Sequence, residues 1–291
     1  EMGFLTRNDQ ANLDYNYFQI ESNLEGLRQR TTSVFITNQW NTAGQPVRLG
    51  AFFNRDYQFE NFNSINWSVR VFPSRVDDRL GRGTGDFVLP TRFGVNGGYQ
   101  TNVAEEFAWN VGFELSQDDI GPTSIQGDAG ITWRPTDRFS ADIQLRYQDR
   151  EALLVHRGSG NYTAFESHQW SPRFDVNYFI SARQRLSFSV QWTGLKAFED
   201  MFYEVDPNTR RELIAVANPD TTPDDFVISR MTFQARYRWE IAPLSDLFVV
   251  YTRGANLPSN SFFTFQDLFE QSWNDRVVDQ VAIKLRYRFG S

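Results

Sequence analysis

The chain has 291 residues and a formal net charge of −7, and 16% of its residues are aromatic although its mean hydropathy is only −0.51. No segment approaches the run of about 18 apolar residues that a membrane helix needs, which excludes a helical membrane protein. The acidic balance argues against nucleic-acid binding, and the absence of cysteine excludes disulfides and thiolate metal sites. So many aromatic residues in so polar a chain indicate an apolar surface that another phase, such as lipid, covers.

Thirteen segments alternate apolar and polar residues, the pattern of a strand with one face in an apolar environment. They cover residues 12–20, 31–40, 47–59, 65–72, 92–101, 107–115, 124–133, 138–147, 172–180, 185–195, 231–239, 246–253 and 280–289. In the last segment Val281, Ile283 and Leu285 alternate with Gln280, Ala282 and Lys284. Most of these segments are about nine to eleven residues long, which suits a tilted crossing of a bilayer better than a soluble sandwich.

The connections between these segments fall into two alternating classes. Short turns are predicted at 61–64, 102–106, 134–137, 181–184 and 242–245, and longer connections at 73–91, 116–123, 148–171, 196–225 and 254–276. Short periplasmic turns that alternate with long outer loops are typical of outer-membrane barrels. The sequence therefore predicts an all-β, antiparallel transmembrane β-barrel across residues 1–291, in the bacterial outer membrane, with its C-terminus in the periplasm.

Thirteen is an odd number, whereas bacterial single-chain barrels usually have an even number of strands. We therefore expect at least one further strand upstream of Glu1 and about 14 to 16 strands in the complete barrel. Residues 1–20 lack the basic start and apolar core of a secretion signal, so the chain is expected to be a mature or truncated form.

Charged residues on the polar side of the strands are the first candidate site. The residues predicted to face the lumen are Arg138, Asp142, Arg146, Asp175, Arg236, Arg238, Glu240, Lys284, Arg286 and Arg288. They could set the selectivity of a pore or pair across strands within a plugged interior, and the mixed signs on neighbouring strands favour pairing. The aromatic residues predicted at the two membrane interfaces are Trp40, Trp133, Trp170, Trp239, Tyr147, Tyr287 and Phe289.

The long connections are the second candidate site. Loop 196–225 is acidic, but it lacks the ligand spacing of a calcium loop, so a solvated surface is favoured over calcium binding. In loop 254–276, apolar residues at near-helical spacing predict a short amphipathic helix. It could plug the lumen, pack on the rim or bind a partner, and packing in or over the barrel mouth is favoured. They are Phe262, Phe263, Phe265, Leu268, Phe269 and Trp273.

Catalysis has little support in the sequence. His156 and His168 lie in loop 148–171 near Asp149, Glu166 and Ser167, an arrangement that a membrane hydrolase could use. Two histidines in a polar loop are more often incidental, and Gly81, Gly83 and Gly85 lack the strand–helix context of a phosphate loop. We expect no enzyme activity, no catalytic residue, no metal and no cofactor.

Four stretches carry a family resemblance: EMGFLTR at 1–7, RQRLSFSVQW at 183–192, RYRWEIAPLSDLFVVYTR at 236–253 and VAIKLRYRF at 281–289. They resemble the C-terminal β-barrel of a bacterial outer-membrane family in which a secretion signal and a carbohydrate-binding-like β-sandwich module precede the barrel. The resemblance implies that signal, module and first strand or strands lie outside this chain. It implies no catalytic residue.

These observations favour a pore or transporter for polar or saccharide-related solutes. The alternative is a plugged barrel that acts as a surface receptor or as an anchor for the upstream module, and a membrane hydrolase is the third hypothesis. The expected partners are the lipid bilayer, lipopolysaccharide and an N-terminal fragment of the same precursor, with no nucleic acid.

Overall fold

The computed structural model describes residues 9–81, 86–206, 208, 211–218, 223–259 and 263–289. Within these ranges nearly all of the regular structure is strand. In chain order the elements are β1 Gln10–Leu24, β2 Leu27–Asn41, β3 Pro46–Phe59, β4 Ser64–Phe72, β5 Arg75–Asp77, β6 Phe87–Leu89, β7 Arg92–Gln100, β8 Phe107–Gln117, β9 Thr123–Thr136, β10 Phe139–Gly158, β11 Asn161–Trp170, β12 Arg173–Ser181, β13 Gln184–Val205, β14 Leu213–Val216, β15 Phe226–Ala242, β16 Ser245–Ser259, α1 Phe265–Asn274 and β17 Val278–Arg286.

One large antiparallel sheet forms the wall of the protein. Its order is β1-β2-β3-β4-β7-β8-β9-β10-β11-β13-β15-β16-β17, so each strand lies beside its neighbour in sequence, apart from short insertions. β12 continues β11 end to end and pairs with β10 and β13, so the two strands share one position in the wall. The break lies at Ser171–Pro172, where proline cannot donate to the ladder. Among the described residues the wall thus has thirteen strand positions, and the predicted all-β antiparallel fold is confirmed.

The two ends of the wall differ in their connections. At one end, called here the turn end, strands are joined by short turns such as 25–26, 182–183 and 243–244. At the other, the loop end, lie the described residues of the remaining connections, which are 42–45, 73–81, 86–91, 118–122, 159–160, 206, 208, 211–218, 223–225 and 263–277. The predicted sorting of connections is therefore present, although several strands run further towards the loop end than expected.

Two of the predicted loops are shorter in the structure, because strands occupy part of their residues. Residues 148–171 were expected to form a loop, but β10 continues to Gly158 and β11 returns from Asn161. Residues 196–225 contain the end of β13 and the short strand β14. A register shift between Arg150 and Leu153 interrupts the alternation there, which explains why the sequence pattern did not reveal the strand.

Strand register divides the side chains of the wall between two faces. Ile131 and Ile143 are partners on one face, where both side chains remain exposed, together with Trp109 on the next strand. Asn110 and Gln144 lie on the opposite face, each beside Gly130. We call these surfaces the apolar face and the polar face. An apolar surface of this kind, left exposed along so many strands, is unusual for a protein surrounded by water.

The first and last strands of the wall are not paired with each other within the described residues. Almost every residue of β1 and every residue of β17 is exposed, unlike those of the strands between them. Because β1 and β17 occupy the first and the thirteenth position of an antiparallel wall, they run in the same direction. In the described part of the chain, no helix is long and apolar enough to cross a membrane.

Candidate functional site

The polar face of β4, β7, β8, β9 and β10 is rich in side-chain amides. Asn66, Asn96, Asn110, Gln126 and Gln144 line a groove of about 420 Å³ together with Asp128 and Glu114. Glycine at position 98 makes room for it, since a Cβ atom there would lie 2.8 Å from the Asn66 Oδ1 atom. Neutral amides both donate and accept hydrogen bonds, which suits uncharged polar solutes.

The polar face of β12 to β17 is instead rich in arginine. Arg173, Arg185, Arg236 and Arg238 surround a cavity of about 360 Å³ with Asp175 among them. The carboxylate of Asp246, which is 1% exposed, accepts a hydrogen bond from Arg238 Nε at 3.0 Å and another from Arg286. The two halves of the polar face therefore differ in charge as well as in composition.

Most of the charges predicted to face the lumen lie on the polar face. By register these are Asp142, Arg146, Asp175, Arg236, Arg238, Glu240, Lys284 and Arg286. Arg138 lies in the turn between β9 and β10, and Arg288 follows the end of β17, where its N–H donates to Ser245 Oγ. Those two belong to the turn end and are not lumen-facing strand residues, a correction to the prediction. β17 itself ends at Arg286, three residues short of the expected end.

The predicted interfacial aromatic residues cluster at two levels of the apolar face. Trp133 packs against Phe139 near the turn end, with ring centroids 5.6 Å apart, and Tyr147 packs against Trp170 higher up at 4.8 Å. Phe139 and Tyr147 are eight residues apart on β10, about 26 Å along the strand and about 20 Å along the axis of a tilted barrel. Trp239, Tyr287 and Phe289 lie at the lower level, and Trp40 lies at the loop end of β2. This spacing is close to that of an outer-membrane apolar band.

Helix α1 forms within the predicted loop, but its position differs from the expected one. It begins after Thr264, whose hydroxyl accepts from Asp267 N at 3.1 Å and donates to the Asp267 carboxylate at 2.7 Å. The hydroxyl and the N–H of Thr264 hold the pKa of Asp267 below its usual value. Phe262, part of the predicted pattern, lies outside the described residues.

The buried side of α1 packs on the apolar face, not in or over the barrel mouth. Leu268 contacts Trp192, Met231 and Ala255, all of which point away from the polar face by register. Ser229 of β15 links the wall to α1, since it receives a hydrogen bond from Trp192 Nε1 of β13 at 2.8 Å and donates to Leu268 O of α1 at 2.8 Å. The contact lies at the height of Trp170, the upper aromatic level. α1 is therefore an outer flank of the wall and does not plug its interior.

A second hydrophobic cluster at the loop end was not predicted. Phe87 and Leu89 of β6 pack with Leu154 and Tyr162, and all but Leu154 are at most 1% exposed. Leu80, Ile120, Tyr203, Val205 and Leu213 pack around them. Burial raises the pKa of Tyr162 to about 12. We call the assembly of these residues with the β5–β6 hairpin the cap; its only sequence signal is a short apolar run, Phe87–Leu89, within a polar loop.

The cap connects distant parts of the wall. On one side, Gln45 in the β2–β3 turn donates to Asp86 at 2.9 Å, and Asn41 donates to Asp78. On the other, Asp86 forms an ion pair with Arg211, which precedes β14 on the β13 side. β3 and β13 are the third and tenth positions of the wall, so in a closed barrel the cap spans the mouth at the loop end.

A buried ion pair fixes the β8–β9 loop beneath this cap. Asp118 is 4% exposed; it accepts from Arg150 Nε at 2.8 Å and from Ala152 N at 3.1 Å. Burial raises the pKa of Asp118, and the charge of Arg150 opposes that rise. The positive charge of Arg150 therefore stabilises the ionised form of this buried carboxylate.

Replacing Arg150 with leucine is expected to destabilise the cap by about 3 kcal/mol at neutral pH, because it leaves a buried carboxylate without its cation. Since the pKa of Asp118 is raised in the folded state, protonation favours the fold, and the loss should shrink as pH falls below the carboxyl range. Limited proteolysis of the loop end at pH 7.5 and pH 4 measures both effects. The matched control is Arg157→Leu, whose partner Asp224 is exposed and whose loss should cost about 0–1 kcal/mol. Equal protection of both variants at pH 7.5 would contradict the assignment.

The two histidines are not brought together. His168 lies on the apolar face with Asp149 Oδ2 at 3.4 Å and Glu166 Oε1 at 3.7 Å, whereas Ser167 points to the other side and is buried. His156 lies higher on β10, with its ring 5.1 Å from that of Tyr162. These residues do not assemble a serine–histidine pair.

The acidic connection is held by protein groups where it is described. Glu199 accepts from Asp224 N at 3.0 Å, and Asp225 accepts from Glu199 N at 2.7 Å. Across the described ranges, no group of three histidine, cysteine or carboxylate side chains could hold a metal ion. Gly83 and Gly85 of the rejected phosphate loop, and Asp220, one of the carboxylates of the acidic loop 196–225, lie outside the described residues.

These features define an antiparallel β-barrel protein with one polar and one apolar face. The chain belongs to the family described as Domain of unknown function (DUF5916), whose model matches residues 1–289. No curated protein matches the chain. A solved structure titled "NanC porin structure in rhombohedral crystal form" is 12% identical over 84% of this chain and 87% of that chain, with a TM-score of 0.28. That score is too low for the similarity to bear on function.

Proposed function

We propose that this protein is the membrane-spanning barrel of an outer-membrane pore or transporter for polar solutes, including saccharide-related ones. The observation that carries the proposal is the division of the wall into an exposed apolar face and a mainly polar face. A lipid bilayer covers such an apolar face, and a polar interior is the usual content of an outer-membrane barrel. In this arrangement the turn end and the end of β17 lie in the periplasm, and the cap lies outside the cell.

The amide groove supports saccharide-related solutes in particular. Hydroxyl-rich solutes need groups that both donate and accept hydrogen bonds, and Asn66, Asn96, Asn110, Gln126 and Gln144 provide them across neighbouring strands. These side chains lie on the polar face beneath the cap.

The proposal predicts single-channel conductance in planar bilayers of phosphatidylcholine for the protein expressed from its complete gene. Vesicles loaded with dextran should swell in isotonic glucose or sucrose when they contain the protein, because polar solutes enter through the lumen. A variant with Gly98→Phe fills the amide groove and should reduce swelling. Gly127→Phe is the matched control for expression and insertion, because Gly127 lies on the apolar face of β9, where a Cβ atom would meet open space. Correct insertion without conductance or swelling would overturn the proposal.

The second candidate is a closed barrel that presents a receptor surface or anchors an upstream module. The observation that favours it is the cap, which is packed around buried side chains and bonded to both sides of the mouth. Deletion of residues 75–89 discriminates the two functions. Conductance only in the deletion variant would favour the closed barrel, and conductance in both would favour the pore.

A further inference from the structure

The polar face has an uneven distribution of charge. Positive side chains predominate on β12, β13, β15 and β17; by register they are Arg173, Arg185, Arg230, Arg236, Arg238, Lys284 and Arg286. The carboxylates of the same face are fewer; the described ones are Asp175, Glu240 and Asp246 and, at the loop end, Glu199 and Glu204. The whole chain has a net charge of −7, so this basic surface runs against the overall charge of the protein.

On the remaining polar face, cations pair with a carboxylate of another strand or of the β8–β9 loop. Arg70 pairs with Glu114 at 2.5 Å, Arg92 with Asp119 at 2.5 Å and Arg150 with Asp118 at 2.8 Å. These cations each have a carboxylate beside them, so this half of the wall carries little excess charge.

Three arginines of the basic half are bonded to neutral groups. Arg185 donates to Asn177 Oδ1 at 2.6 Å, Arg236 to Gln234 Oε1 at 2.6 Å and Arg230 to Asn256 Oδ1 at 3.0 Å. An amide oxygen orients a guanidinium group without cancelling its charge. All three side chains are exposed on the polar face, so their positive charge is available to a solute.

We infer that the lumen prefers anionic solutes, specifically carboxylate- or phosphate-bearing polar molecules, over neutral and cationic ones; this rests on the proposed pore function. Oriented guanidinium groups bind carboxylates and phosphates through paired hydrogen bonds, and a surface of one charge sign sets the selectivity of a pore. The basic half attracts the anion, and the amide groove opposite binds its hydroxyl groups.

The test measures the reversal potential of the complete protein in planar bilayers across a tenfold KCl gradient. Near 0.1 M salt, we expect the sign of the reversal potential to show that chloride permeates better than potassium. Near 1 M the preference should be smaller, because salt screens the arginine charges beyond a Debye length of about 3 Å. The double variant Arg185→Gln/Arg236→Gln should lose most of the preference while it retains conductance. Arg30→Gln is the matched control, because Arg30 lies on β2 towards the turn end, paired with Glu21 on the apolar face, and its removal should leave selectivity unchanged.

The outcomes separate this inference from the proposed function. Conductance without chloride preference, or with a preference that the double variant retains, overturns the inference and leaves the pore intact. Absence of conductance from correctly inserted protein overturns both. The reversal potential is then measured with gluconate or glucose-6-phosphate as the sole anion. A retained anion preference would show that the lumen also accepts organic carboxylates and phosphates, and its loss would overturn that part of the inference.

Discussion

Replacing Ile143 with arginine is expected to lower the free energy of unfolding of the protein in a bilayer by about 2–4 kcal/mol. Ile143 lies on the apolar face of β10, midway between Phe139 and Tyr147, with Ile131 and Phe174 as its partners on the adjacent strands. Its side chain is 47% exposed, so arginine would fit there without a clash in a protein surrounded by water. A large cost therefore requires lipid at this position.

The measurement is a urea titration of the complete protein in phosphatidylcholine vesicles, followed by the gel shift between folded and heated samples. Gln144→Arg is the matched control, since Gln144 is the next residue, is also exposed and lies on the polar face. We expect it to shift the titration by less than about 1 kcal/mol. If the two variants shifted the titration equally, the apolar face would not be the lipid-facing surface.

Strand positions and faces could be predicted from sequence because alternation is a local property of an extended chain. Each predicted segment coincides with a wall strand, and the predicted partners of one face, such as Ile143 and Leu145, do share it. β11 could not be predicted in this way. Tyr162, Thr163 and Ala164 are consecutive and all buried, because neighbouring elements cover both faces there, and alternation is lost.

The position of α1 illustrates a different limit. The spacing of Phe265, Leu268 and Phe269 predicts a helix with an apolar side, and the helix forms. Which surface that side covers depends on Trp192, Met231 and Ser229, which lie on strands far away in sequence. The cap has the same property, since Phe87 becomes a core residue only when β6 meets Tyr162 across the mouth. Contacts between residues so far apart in sequence depend on how the wall assembles, and a local sequence pattern does not predict them.

The odd number of wall strands leads to the second large effect, at the gap between β1 and β17. Because both strands run in the same direction, direct closure would make one parallel pair in an otherwise antiparallel wall. Unpaired backbone groups are costly in lipid, so an open gap is disfavoured as well. A second copy inserted in the same orientation would present the same parallel edges. We propose that one additional strand, antiparallel to both, fills the gap; it would satisfy every edge group and give the even number expected from the sequence.

The expected result is that cysteines on β1 and β17 do not form a disulfide in the folded protein. Tyr17→Cys is combined in turn with Val281→Cys, Ile283→Cys and Leu285→Cys, all on the apolar face and in a chain that has no cysteine of its own. With one strand between them, the two backbones are about 9.6 Å apart, beyond the Cα separation of about 7 Å that a disulfide tolerates. A bismaleimide with a spacer of about 10 Å should therefore link a pair that copper phenanthroline does not oxidise.

The matched control is Val249→Cys with Ile283→Cys, which face each other on the adjacent strands β16 and β17 and should oxidise readily. Both experiments are carried out in outer membranes of cells that express the complete gene, so that every strand of the protein is present. A disulfide at any of the three β1–β17 pairs would show that the wall closes on itself, and the additional strand would then be wrong. Spacer-dependent linkage, with oxidation confined to the control, places one strand in the gap and completes a fourteen-stranded wall.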